Sequence, residues 1–309
     1  MNKIIKLLTA TTLTIALGIW AAACGSSSDS NQSSASTSQQ SASSASDSSS
    51  SASASSGGVT KVQIAYSQGG YPTEYVDENG KLTGYDIEVM RLVDELLPDY
   101  EFEYTGLDQT AVYAGLSTGK FQIALTNAFW TPEREAKYLF PKENIGASIL
   151  GFFTRPEHSD VKTLSDAARK KLKLSPILAG DGNYYVIVDY NNNNPDNQIE
   201  LTPTDDSNAF TEAYDWVYNG RYDFGLIPLQ YWNALVVDEK GAFHKYNGKL
   251  SYNTFGAVKT WAIFAKGQEA LAAEYDKAIA KLKAEGKLVE LSNQFYGYNN
   301  FEYLDENSR

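Results

Sequence analysis

The chain has 309 residues, a formal charge of −12, a single cysteine and two histidines. So acidic a chain excludes bulk electrostatic attraction for nucleic acid or acidic solutes, and any carboxylate ligand must be recognised locally. With one cysteine there is no internal disulfide, and the core alone must hold the fold.

The first 23 residues, MNKIIKLLTATTLTIALGIWAAA, place Lys3 and Lys6 ahead of an apolar run ending in small residues, the pattern of an export signal. The run is shorter than the roughly 20 apolar residues that span a bilayer. Cys24 follows directly. The stretch resembles a bacterial lipoprotein signal, which implies cleavage before Cys24, lipidation (palmitate among the acyl groups) and display on the outer face of the membrane, as in a Gram-positive cell. Ala21 stands where that pattern usually has leucine. Residues 24–58, rich in Ser and Ala and without a large apolar side chain, cannot repay the entropy of folding and read as a disordered tether.

Beyond the tether, KVQIAYS (61–67) alternates as a strand, and Asn79-Gly80 marks a turn. DIEVMRLVDELL (86–97) puts Ile87, Met90, Val93 and Leu97 on one helical face, with Pro98 after it. The strand YEFEYTG, a short helix through TAVYAGLSTG and the apolar strand FQIALTN follow. Strand, helix, strand, helix, strand argues for an α/β sheet with helices on its faces, where ligands bind beyond the carboxyl ends of strands. A second series starts at SILGFFTRP: helix TLSDAARKK, strand LSPILAG, helix NYYVIVDYN, then IELTP, helix SNAFTEAYDWVYNG, strand YDFGLIP and helix QYWNALV. The strand VKTWAIFAK, a helix with Leu271, Tyr275, Ile279 and Leu282 on one stripe, and KLVELSNQFYG close the chain.

NAFWTPERE (127–135) stands where the third strand of the first series ends. Thr131 suits an N-cap and Pro132 the first helical position, so Arg134 falls third, where a cation opposes the helix dipole by about 0.3–1 kcal/mol unless an anion is present. A solvated Arg134 leaning on Glu133 or Glu135 is the competing reading, and this stretch alone leaves the two even.

YPTEYVDENGKLTGYDIEV, YAGLSTGKFQIALTNAFWTPEREAKYLF, NGRYDFGL and AIAKLKAEGKLVELSNQFYG, in that order from about Val59 to Tyr298, resemble the extracytoplasmic solute-binding proteins of amino-acid ABC importers, family 3. The resemblance implies an α/β, two-lobed periplasmic-binding-protein-like type II fold with two hinge crossovers: lobe 1 from 59–153 and 257–309, lobe 2 from 154–256, with crossings near Gly151 to Arg155 and Thr254 to Val258. It implies a monomer that captures an amino acid or related carboxylate, hands it to an ABC permease, turns nothing over and needs no cofactor. Arg134 matches the arginine that grips the ligand carboxylate, helped by Asn127 and the backbone at Ala128. Phe129 replaces the usual Ser or Thr five residues before the arginine, and Pro228 occupies the place of a lobe-two aspartate that holds the ligand ammonium. Thr73 occupies a first-lobe contact position, with Tyr71 and Tyr75 close by. These departures resemble a branch associated with cystine and related sulfur amino acids.

AGDGNYY (179–185) lacks the third glycine of a dinucleotide fingerprint, with Tyr185 in its place. Two readings stand equally: Gly182 and Asn183 offer backbone donors to a ligand while Asp181 caps the helix or meets an ammonium, or the segment is a structural left-handed turn. Gln230 is a further candidate lining residue by its place after a strand. His158 and His244 are not spaced as metal ligands, and no nucleophile elbow is present. A dehydratase-like enzyme on the same scaffold and a sensory or adhesive surface module remain the alternatives.

Overall fold

The structure, a computed structural model, describes residues 58–206, 208–305 and 308; the signal segment, Cys24 and all of the tether but Gly58 lie outside them. The chain runs β1 (Thr60–Ser67), β2 (Tyr75–Val76), β3 (Leu82–Thr83), α1 (Tyr85–Leu96), β4 (Tyr100–Leu107), α2 (Gln109–Ser117), β5 (Ile123–Ala128), α3 (Pro132–Lys137) and β6 (Gly146–Thr154). It continues through α4 (Leu164–Arg169), β7 (Ile177–Leu178), α5 (Gly182–Asn193), β8 (Pro203–Thr204), α6 (Ala209–Tyr218), β9 (Phe224–Leu226), α7 (Leu229–Trp232), β10 (Ser251–Phe264), α8 (Glu269–Ala284) and α9 (Lys287–Tyr296).

A single sheet, in the order β4-β1-β5-β10-β6-β9, passes through both lobes. β1 pairs in parallel with β4 and β5, as connections through helices require. In the first lobe the period-two pattern of β1 sends Val62, Ile64 and Tyr66 to one face, against α1 and α8, and Ala65 to the other, against α2. The stripes read from sequence are buried: Ile87, Met90, Val93 and Leu97 on and just after α1, and Leu271, Tyr275, Ile279 and Leu282 on α8. Each such side chain contributes about 1.5–3 kcal/mol through burial. Gly286, at φ 74°, supplies the left-handed residue that parts α8 from α9.

Lobe two has two smaller apolar clusters. Phe152, Leu164, Ile187 and Phe224 anchor one, and Phe153, Tyr214, Trp232 and Tyr246 form a run of stacked rings in the other. The lobes are joined by β6 and β10, which pair antiparallel from Ser251↔Thr154 to Thr260↔Gly146, with a bulge between Thr254 and Gly256. β10 then pairs with β5 of the first lobe, and β6 with β9 of the second. β6 is buried at all nine residues. Two sequence expectations change here. LSPILAG is largely irregular, contributing only the two-residue strand β7, which pairs with the two-residue β8, and β10 begins at Ser251, well before VKTWAIFAK.

Candidate functional site

A cavity of about 370 Å³ lies between the lobes, lined from lobe one by the loop after β1, by the end of β5 and by α3, and from lobe two by segments around β7, α5 and α7. Its position beyond the carboxyl ends of β1 and β5 follows from the parallel sheet. Arg134 lies in its wall. The Thr131 hydroxyl accepts the Arg134 amide at 3.1 Å, which fixes Arg134 at the third helical position. Its guanidinium donates through Nη1 to the Phe129 carbonyl at 2.9 Å and through Nη2 across the cleft to the Gly180 carbonyl at 3.0 Å. The rings of Tyr113 and Tyr185 flank it at 5.2 and 6.0 Å.

Arg134 is only 6 % exposed, and among the described residues no carboxylate oxygen lies within 4.0 Å of it. The leaning contact with Glu133 or Glu135 is therefore not made. Carbonyl dipoles and ring faces soften the desolvation of the cation, but they supply no net negative charge. Its remaining N–H donors are suited to the planar fork of a carboxylate.

Around it, Tyr71, Asn127, Phe129, Asp181, Gly182 and Asn183 also line the cavity. Asn127 has φ 48°, a left-handed conformation uncommon outside glycine. Its Nδ2 donates to Ser148 Oγ at 2.7 Å, and the same oxygen accepts Gln230 Nε2 at 2.8 Å, so one hydroxyl of the β6 crossover ties a residue of each lobe. The Phe129 ring packs on Gly182: a Cβ built there would stand 2.4 Å from Phe129 Cδ2. Asp181 caps α5 by accepting the Asn183 amide at 2.8 Å, and Gly180 before it takes the left-handed φ of 83°. The segment thus makes the structural turn and lines the cavity as well.

Four sequence candidates stand elsewhere. Ala128 is buried in β5 behind the cavity wall, and Tyr75 packs edge-on against Tyr71 at 4.7 Å without lining the cavity itself. Thr73 is fully buried, its hydroxyl donating to the Gly70 carbonyl at 2.5 Å and sharing a 3.0 Å hydrogen bond with the Tyr231 hydroxyl. Gln230 is turned inward to Ser148. Strand-end position located these residues but not the direction of their side chains. Conversely, Glu74, Ser175, Leu178 and Phe210 line the cavity without having been singled out, and Tyr231 lines it too. Glu74 is 1 % exposed; burial, together with the Asp86 carboxylate, pushes its pKa well above the usual range, with the Thr73 hydroxyl pulling it back. Burial raises Asp86 to about 7, opposed by the Asn127 amide. The only sequence signal for Glu74 was an acid set among the aromatics of YPTEY.

Residues 62–298 match the model of the bacterial extracellular solute-binding proteins, family 3. The chain belongs to that family. It is similar to the L-cystine-binding protein TcyJ of Bacillus subtilis, 26 % identical over 72 % of this chain and 79 % of that protein. It is also similar to a probable amino-acid ABC transporter-binding protein of Haemophilus influenzae, 26 % identical over 78 % and 86 % of the two chains. Among solved structures, one from work on glutathione import through GshT and the cystine ABC importer TcyBC of Streptococcus mutans superposes with a TM-score of 0.65 at 25 % identity, covering 80 % of this chain and 98 % of that one. The family's two-lobed type II fold with paired crossovers is the architecture described above. Arg134, the cavity and both crossover strands fall within the matched residues.

Proposed function

We propose that this protein is the substrate-binding component of an amino-acid ABC importer, and that it takes cystine or a related sulfur amino acid between its lobes without turning it over. The observation that carries this reading is Arg134: a buried guanidinium in a cavity wall, short of a counter-charge among the described residues, calls for a carboxylate from a ligand. The similarity to cystine-binding proteins supports the sulfur amino acid. A cavity of about 370 Å³ lies within the roughly 300–1,000 Å³ range of small-molecule sites. We place lobe one at 59–153 and 257–309 and lobe two at 154–256, and assign the protein a monomeric state. Cys24 would carry the lipid that holds it at the outer face of the membrane, beside its permease.

The test is a thermal-shift screen of the purified protein against the proteinogenic amino acids, L-cystine and glutathione. A probe at 100 times its dissociation constant should add about 2.7 kcal/mol of stability, a clear rise in melting temperature. A screen in which no carboxylate-bearing amino acid or peptide shifts the transition refutes the reading. Product formation from a cyclic carboxylate in the same samples would favour the dehydratase instead.

A further inference from the structure

The cleft also contains a group of opposite sign to Arg134. Glu74 stands in the loop between β1 and β2, lines the cavity and is 1 % exposed, and its Oε2 has no hydrogen-bond partner among the described residues. Its carboxyl group lies under the backbone of the same loop, since a Cβ added to Gly70 would stand 2.8 Å from Glu74 Cδ and Oε1. No lysine or arginine nitrogen among the described residues lies within 4.0 Å of it. A buried carboxyl oxygen with an unused lone pair, at the wall of a ligand cavity, is a costly arrangement unless something brings it a donor.

We propose that Glu74 is the residue that receives an ammonium group of the ligand, so that the site recognises a zwitterion through Arg134 at one end and Glu74 at the other. This rests on the amino-acid reading above. The cavity has two other carboxylates, Asp108 from lobe one and Asp181 from lobe two, but one oxygen of each already caps a helix, α2 and α5; Pro228, Leu226 and Leu235 of lobe two bring no charge.

Ammonium binding at Glu74 is coupled to a proton. The groups that bear on Glu74 are Asp86 from α1, the Tyr231 phenol from the lobe-two helix α7 and the Tyr296 phenol from α9; Tyr85 and Tyr275 bear on Asp86, and Asp181 on Tyr231. All are anionic or neutral, so among the described residues only the Thr73 hydroxyl favours a charged Glu74, and no cation does until one arrives with the ligand. An ammonium ion arriving at the carboxyl group lowers the pKa of Glu74, and the carboxyl proton leaves to solvent as the N⁺–H···O⁻ contact forms. Binding of an amine-bearing ligand therefore releases that proton and tightens as the pH rises through the raised pKa of Glu74.

Isothermal titration tests this with two probes, L-cystine and 3,3′-dithiodipropionate, which keeps both carboxylates and the disulfide but lacks the amines. The wild-type protein should bind cystine at least tenfold more tightly. Its apparent binding enthalpy should differ between phosphate and Tris buffers as proton release requires. Glu74→Gln should lose most of that preference and the buffer dependence, with little change for the diacid. Gly70→Ala, which displaces the carboxyl group without removing it, should weaken cystine in the same direction and guards against a Gln variant that does not fold. Undiminished cystine preference and buffer dependence in both variants overturns the assignment of Glu74 while leaving the amino-acid reading intact. Equal wild-type affinity for the two probes shows that no ammonium is recognised and overturns the proposal through its premise; binding of neither does the same.

Discussion

Arg134 shows how a local misfit becomes informative. Its place at the third position of α3 sets a full charge beside the unpaired amides of a helix start, and the fold adds burial without an ion pair among the described residues. Both costs are offset if a ligand carboxylate completes the site. Arg134→Ala should therefore weaken the best probe from the screen by about 2–5 kcal/mol, and Arg134→Lys should recover only part of it, because an ammonium cannot reproduce the two-pronged contact. Titration calorimetry on both variants measures this, and a lysine variant as tight as wild type would show that charge alone matters. At Asp86, burial ties stability to pH. Its pKa is raised on folding to about 7 by burial, so between the unfolded value near 3.8 and 7 the native state binds more protons than the unfolded chain. Stability should fall as pH rises through that window. Melting temperatures taken from pH 4.5 to 7.5 in low salt should show the decline, which should be shallower in Asp86→Asn.

The elements that carry the site are short, and that governs both its behaviour and how far it could be read in advance. At the start of α5, Gly182 leaves space for the Phe129 ring from the other lobe. Gly182→Ala should therefore obstruct apposition of the lobes, weakening ligand binding tenfold or more while leaving the far-ultraviolet circular dichroism unchanged. Affinity equal to wild type would place the ring elsewhere in the bound form. The long helices α1 and α8 were legible because a stripe repeated over several turns has few alternative explanations. β7 and β8, at two residues each, are defined by parallel pairing with one another, a non-local fact. The early start of β10 was hidden because residues 251–259 are less apolar than those that follow, and they become strand by pairing with the buried β6. Within the site, Arg134 was legible through its clash with helix electrostatics and Phe129 through its neighbourhood. Thr73 and Gln230 were misjudged because their partners, Tyr231 and Ser148, are 158 and 82 residues away. Glu74 was missed because nothing in YPTEY says that a carboxylate there is buried.

For the whole molecule, one side chain joins two tasks. The guanidinium of Arg134 bonds Phe129 of the first lobe and Gly180 of the second at once, so the group suited to holding cargo is also a latch between the two halves. On the proposed reading, cargo held in the cleft would be released as that contact opens. Differences among bound compounds should then be expressed chiefly as residence times, with arrival rates varying much less from one compound to the next. A permease that pries the halves apart would weaken the grip on the cargo in the same movement.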